Sequence, residues 1–589
     1  MSRPTGAEAV RWNLEDLYAT PADLRAHLAE TLALAEQTGD AYRSRVAALD
    51  AAGLAGLLGT LETLHDRIGR AYTYAFLDWA ADTSDAPRGA LMQEVREAYA
   101  RYQQALVFFE VEWAALDEAQ ARPLYDDARL ARFRHSLETQ TLRRRHVLSE
   151  PEEKVLAETD VTGRSAWNRF FDELLGASRF TLRGETLTEQ EILAKLHDPD
   201  RTIRRDAALA FTEGLSTLAG PLTFVYNTVL ADAATQDRLR GYPTWISSRN
   251  ESNEVEDAVV DALVQAVSGR SDLAQRFYAL KARLLGVDVL EDYDRYAPLP
   301  EADAFYTWDE ARATVEAAYG DFHPVAGEVV ARFFEERWID APAVPGKRGG
   351  AFSHSAVPSA HPYVLMNYTG RVRDVQTLAH ELGHGLHQFL AREQGVFHAD
   401  TPLTTAETAS VFGEMLTYRR LLSRLDDPKQ RLALAVSKLD DTMATVFRQV
   451  SMNRFEDAIH TARRTEGELS NERFGELWMA TQRALYGESV HLGEHYSKWW
   501  SYIPHFLHTP GYVYAYAFGE LLVLALYARY VDEGAPFAER YLDLLRAGGS
   551  DFPHVLVGRL GIDLRDPAFW NAGLDIIERT ISEAEALAA

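Results

Sequence analysis

Apolar residues recur at three-and-four spacing along most of this 589-residue chain, and that periodicity commits it to packed α-helices. The stretches from Pro21 to Leu64 and from Ala90 to Leu116 show the pattern, with Glu, Arg and Ala between the apolar positions. Thr20-Pro21 marks a helix start, a cap followed by proline in the first turn, and Asp198-Pro199 marks a comparable turn. One region departs from the pattern. Between Pro342 and Gly370 the chain is rich in Gly, Pro, Ser and His and contains the β-favouring run Tyr363-Val364-Leu365-Met366-Asn367-Tyr368. Ala351–Ser355 and Pro362–Tyr368 are therefore expected to form a small antiparallel pair. Its free edge would offer main-chain hydrogen bonds to an extended peptide. A second extended piece, Phe180 to Glu185, closes an N-terminal helical region, so the expected division is 1–190 and 191–589. A chain this long exceeds what one core supports, and at least two large subdomains are expected.

Charge and composition narrow the partners. Acidic residues outnumber basic ones by 88 to 61, a formal net charge of -27. Nucleic acid and anionic membranes both require basic surface, so neither is expected as a partner. There is no cysteine, which excludes disulfides and obliges any transition-metal site to use histidine and carboxylate. The N-terminus, Met1-Ser2-Arg3-Pro4-Thr5-Gly6, has no apolar stretch behind its single Arg. The greasy segment Leu521–Leu526 is short and flanked by Glu520 and Arg529, so it reads as a core helix and not a membrane span. The cytoplasm is the expected compartment.

After Arg373 helical spacing resumes. Asp374 can cap the start and Gly395 can end the helix. Val375, Leu378, Leu382, Leu386 and Phe389 share one face, and His380 and His384 lie together opposite, one turn apart. That separation lets two imidazoles share one ion. Glu381 projects about 100° around the helix from His380. It cannot easily join the ligand set, yet it can reach a water held by the metal, which is the position of a general base.

A catalytic zinc needs a third protein ligand. The extended metzincin pattern requires Gly at 387 and His at 390, whereas this chain has His387 and Leu390, so that class is rejected. Other zinc peptidases take a Glu from the following helix. Here that helix is expected from about Thr401-Pro402, with Glu407 and Glu414 seven apart on one face. Glu407 is the better ligand, and Glu414 a support behind the ligands. The segment His491-Leu492-Gly493-Glu494-His495 matches the inverted H-x-x-E-H pattern, but it follows the helix-breaking Gly487-Glu488-Ser489 and lacks an apolar face. It is set aside.

Two runs, Tyr363-Val364-Leu365-Met366-Asn367-Tyr368-Thr369-Gly370 and Thr377-Leu378-Ala379-His380-Glu381-Leu382-Gly383-His384-Gly385-Leu386-His387-Gln388, resemble the oligoendopeptidase F and thimet oligopeptidase family of zinc peptidases. The resemblance continues in Trp12-Asn13-Leu14-Glu15-Asp16-Leu17-Tyr18 near the start and in His505-Phe506 and Tyr512-Val513-Tyr514-Ala515-Tyr516 near the end. It implies a predominantly α, two-lobed fold around a deep channel, with 191–589 as the catalytic domain, and cleavage of oligopeptides with one zinc per chain. Carried over residue by residue, His380, His384 and Glu407 bind zinc and Glu381 activates water. A His and one or more Tyr of the C-terminal loop then face the substrate carbonyl, where a developing oxyanion needs hydrogen-bond donors. Both His505 and His508 precede Tyr512, so the histidine stays open between them. Tyr512 and Tyr516 are the tyrosine candidates, with Tyr514 after them. Two other readings stand beside the endopeptidase: a zinc carboxypeptidase of similar helical fold, and a non-catalytic helical peptide-binding protein.

Overall fold

The computed structural model describes residues 3–299 and 304–589. The chain is predominantly helical, with three small sheets among the described residues. It folds into two compact units, each assembled from three separate stretches. One comprises Met1–Arg145, Asp303–Arg424 and Arg529–Asp563; the other comprises His146–Ala302, Leu425–Ala528 and Leu564–Ala589.

In the first unit, the apolar stretch expected from Pro21 to Leu64 is two helices, Pro21–Tyr42 and Ala51–Ala81. Thr20 and Asp50 cap their first turns by accepting from the N–H groups of Asp23 and Gly53. The stretch Ala90–Leu116 likewise divides into Ala86–Leu106 and Phe108–Ala115. The buried faces of these helices, including Leu54, Leu61, Leu64 and Val95, form one core with Tyr363 and Leu365 from the sheet.

That sheet has three strands: β1 (Ile339–Pro342), β2 (Phe352–His354) and β3 (Tyr363–Tyr368). β3 is central. It pairs antiparallel with β2, as the sequence suggested, through Ser353 opposite Val364. It also pairs in parallel with β1, which carries no alternating pattern because both its faces are covered. Between β1 and β2 the buried Lys347 Nζ donates to Asp340 Oδ1 (2.6 Å) and to the carbonyls of Pro342 and Met366 (3.0 and 2.7 Å). A buried ammonium with that many acceptors pins the crossover to the sheet. β2 is left as an edge strand.

In the second unit, Phe180–Leu182 and Glu185–Leu187 form a hairpin turned by Arg183 and Gly184, both at positive φ (51° and 88°). Its core gathers Phe211, Tyr226, Trp478, Trp499 and Trp500. Leu521–Leu526 lies buried in the helix Tyr514–Glu533. Among the described residues no single helix is long and apolar enough to cross a membrane.

Candidate active site

The histidines sit on α1 (Val372–Ala391). Asp374 caps this helix from its third position: Oδ2 accepts from the N–H groups of Thr369 (2.8 Å) and Arg371 (3.1 Å). The regular helix stops at Ala391, and one further turn reaches Gly395, whose φ of 75° suits glycine. Val375, Leu378, Leu382, Leu386 and Phe389 are all buried, so the apolar face anchors the helix and turns His380 and His384 the other way.

α2 (Thr408–Arg424) lies against α1 at two glycines. A Cβ on Gly383 would run into the Ala409 carbonyl oxygen and stand 2.6 Å from Ser410 Cα. A Cβ on Gly413 would strike the Tyr319 hydroxyl and stand 2.9 Å from the Ala379 carbonyl oxygen. Tyr319 itself is buried and donates to that carbonyl at 2.7 Å. Backbone contact at both glycines brings the carboxylates of the α2 region to the histidines.

The helix expected from about Thr401-Pro402 does not run unbroken through Glu407 to Glu414. Glu407 is the joint between a single turn, Leu403–Ala406, and α2. The break separates the two carboxylates in direction. Glu407 Oε2 lies 3.5 Å from His380 Nε2 and 3.4 Å from His384 Nε2, and those two nitrogens are 3.2 Å apart. Glu414 Oε1 instead takes the other nitrogen of His380, Nδ1, at 2.6 Å. A carboxylate accepting from Nδ1–H leaves the Nε2 lone pair facing His384 and Glu407. The Ser410 hydroxyl donates to Glu407 Oε2 at 2.6 Å and fixes its rotamer.

Three ligand atoms with edges of 3.2, 3.4 and 3.5 Å match a tetrahedral zinc site. Ligands at 2.0–2.1 Å from the ion stand roughly 3.3–3.4 Å apart. His380, His384 and Glu407 could therefore hold a metal ion. The electrostatics agree. Burial pushes the His380 imidazolium down, but the hydrogen bond and charge of Glu414, then the charges of Glu407 and Glu381, overcome it and hold it up at about 9. Burial likewise pushes Glu407 up, yet the hydrogen bond and charge of His384, with His380 and Ser410, hold it down at about 2. The cluster favours positive charge at its centre.

Glu381 is almost fully buried beside these groups and outside the ligand triangle. Burial raises its carboxyl above the ordinary range, opposed by the charges of His380 and His384 and by a main-chain hydrogen bond from Ser353. A cavity of about 430 Å³ opens here, lined by Phe352 and Ser353 of β2 and by His380, Glu381, His384 and Gln388 of α1. Gln388 carries no role in the sequence pattern beyond closing the histidine run. Its Oε1 accepts from the Ser353 hydroxyl at 2.8 Å and ties the edge strand to α1. Its position one turn beyond His384 was the available signal.

In the second unit, His505 and His508 begin and end a single helical turn and point to different partners. His508 Nε2 is 2.9 Å from Asp172 Oδ1, whereas His505 Nε2 is 3.4 Å from the Tyr516 hydroxyl. The Tyr512 and Tyr516 rings stand edge to face, 5.1 Å apart. Tyr514 is fully buried, and its hydroxyl accepts from Asn253 Nδ2 at 2.9 Å. His505, Tyr512 and Tyr516 thus form one cluster, with His508 and Tyr514 engaged outside it. The inverted motif is dispersed: His491 lies on a strand with Nδ1 2.7 Å from Glu291, and His495 lies on a 3₁₀ turn with Nε2 2.9 Å from Asp292.

Known proteins share this sequence and fold. Residues 194–576 match peptidase family M3, and residues 112–180 match Oligopeptidase F. Group B oligopeptidase PepB of Streptococcus agalactiae is 29% identical over 89% of this chain and 88% of its own. Oligopeptidase PepF of Bacillus subtilis is 28% identical over 98% of this chain and 87% of its own. The crystal structure of oligoendopeptidase-F from Enterococcus faecium superposes with a TM-score of 0.69 at 23% identity, covering 95% of this chain and 97% of that one. The M3 match spans most of the chain and contains the histidine helix. The chain belongs to peptidase family M3 and is a metallopeptidase.

Proposed function

We propose that the chain is a zinc-dependent endopeptidase of short peptides, with the ion held by His380, His384 and Glu407. The observation that carries this reading is the ligand-sized triangle of Nε2, Nε2 and Oε2 with the buried Glu381 beside it. A zinc ion held there would supply a water of near-neutral pKa and would polarise the scissile carbonyl. Glu381 takes the proton of the attacking water and delivers it to the leaving amine. Its buried setting raises its proton affinity towards what both transfers need. Phe352 and Ser353 of the edge strand β2 line the cavity in which the peptide lies extended, although the Ser353 N–H and carbonyl are engaged by Glu381 and Gln388. His505 with Tyr512 or Tyr516 donates to the developing oxyanion. For the division of labour along the chain we retain 1–190 as an N-terminal region and 191–589 as the catalytic one, in keeping with the two family matches.

Peptides blocked at both ends test the reading directly. Zinc-loaded protein should cleave them internally, and a chelator should abolish the cleavage until zinc is restored. Trimming of free-ended peptides only would instead identify a carboxypeptidase, and zinc binding without turnover a peptide-binding protein. Glu414 gives a second test. Glu414→Ala should weaken zinc binding by about 10- to 100-fold in a chelator competition, because His380 loses the partner of its Nδ1–H. Unchanged affinity would show that Glu414 does not orient the ligand.

A further inference from the structure

The aromatic cluster of the second unit hangs on the turn Thr509-Pro510-Gly511-Tyr512, closed by the Tyr512 N–H donating to the Thr509 carbonyl at 3.1 Å. Proline in the second place and glycine at φ 73° in the third define a type II turn. In such a turn the central peptide stands on edge, so its C=O and N–H both point away from the turn and need partners elsewhere. Here both partners are ionisable side chains. Arg249 Nε donates to the Pro510 carbonyl at 3.2 Å. Glu456, on α3 (Gln449–Thr465), accepts from the Gly511 N–H at 2.8 Å through Oε1. A Cβ on Gly511 would come within 3.3 Å of Arg249 Cβ and Ile246 Cγ1, so the turn packs closely there and suits glycine.

Glu456 has no solvent exposure, and its Oε2 has no hydrogen-bond partner among the described residues. Burial pushes its carboxyl up to about 8, against the Gly511 hydrogen bond and the charge of Arg249. Burying a carboxyl is costly, and an ordinary surface turn needs no such anchor. The cost is spent on the orientation of one peptide plane, immediately before Tyr512.

We propose that Glu456 and Arg249 are positioning residues that clamp the Pro510–Gly511 peptide from both sides and so fix the direction of Tyr512 towards substrate. The inference rests on the reading of Tyr512 as an oxyanion donor. Released from the clamp, the turn rocks at its central peptide, and Tyr512 loses its aim while the metal ligands are untouched.

Kinetics of the zinc-loaded full chain test this. Tyr512→Phe should lower kcat about a hundredfold or more, as loss of one oxyanion donor does. Glu456→Ala should lower kcat by about ten- to a hundredfold at nearly constant KM, the scale of a small misplacement. In the Tyr512→Phe background Glu456→Ala should cost nothing further, since a residue acting only through Tyr512 has nothing left to position. Glu456→Gln, which keeps an acceptor oxygen and matches the neutral acid in shape, should restore kcat. Arg249→Met and Gly511→Ala, which disturb the clamp without touching Glu456, should reproduce the kcat loss and keep the proposal testable if Glu456→Ala does not fold. Losses that multiply in the double variant, or a melting-temperature drop with kcat intact, overturn it. Wild-type kcat in Tyr512→Phe overturns both the clamp and the role of Tyr512, and leaves the zinc and Glu381 reading standing.

Discussion

Glu381→Gln is expected to lower kcat by about 10²- to 10⁴-fold while the protein keeps one zinc per chain. The glutamine side chain fills the same buried space, and its carbonyl oxygen can still accept the main-chain hydrogen bond from Ser353. What it cannot do is take a proton. None of the three ligand atoms belongs to residue 381, so zinc affinity should not fall. It should not be the fold that suffers either, because a neutral amide is easier to bury than a carboxyl whose ionisation the site already opposes. Zinc content by elemental analysis and kcat on a doubly blocked, internally quenched peptide decide the matter. A variant with zinc bound and more than about a tenth of wild-type kcat would mean that another group moves the proton.

The histidine helix was fully legible because two independent periods coincide there. Helical spacing of Val375, Leu378, Leu382, Leu386 and Phe389 fixed the buried face, and His380 and His384 could then only lie opposite. The strand pair β2–β3 was legible for the same kind of reason, a β-favouring run bounded by Gly and Pro. β1 was not, since a four-residue strand covered on both faces shows no alternation to read. Glu407 Oε2 lies near both Nε2 atoms, but not by the geometry that the spacing predicts. Spacing assumed an unbroken helix, whereas the chain pauses at Glu407 itself, and only that pause lets Glu407 and Glu414 address opposite sides of His380. What sets His508 apart from His505 in the fold is Asp172, more than 300 positions away, which no local pattern supplies. The two glycines that let α1 and α2 touch were equally hidden, because a glycine in a helix reads only as a weak position until its neighbour is known.

Gly383 is where that hidden contact should be most costly to disturb. In a helix interior, alanine is favoured over glycine by about 1 kcal/mol, so a substitution with open space around it should stabilise. Gly59 is such a position, in the helix Ala51–Ala81 with nothing within 4 Å of a built Cβ, and Gly59→Ala should raise the melting temperature. At Gly383 the new methyl meets the Ala409 carbonyl oxygen and Ser410 Cα. Both are backbone atoms, which cannot rotate aside as a side chain would, so α2 must shift bodily. Overpacking of this kind costs about 1–3 kcal/mol, enough to reverse the propensity gain. The larger consequence falls on the metal. Ser410, which donates to Glu407 Oε2, is the residue displaced, and Glu414 lies on the same helix one turn further on. A movement of about 1 Å spoils ligand distances that must hold within about 0.2 Å. Gly383→Ala should therefore lose most of its zinc affinity and its peptidase activity together, with a lowered melting temperature in the metal-free protein. Calorimetry of the metal-free variants separates the two effects, and zinc titration follows the site. If Gly383→Ala behaves like Gly59→Ala, stabilised and with zinc affinity intact, then the backbone contact between α1 and α2 does not set the ligand triangle.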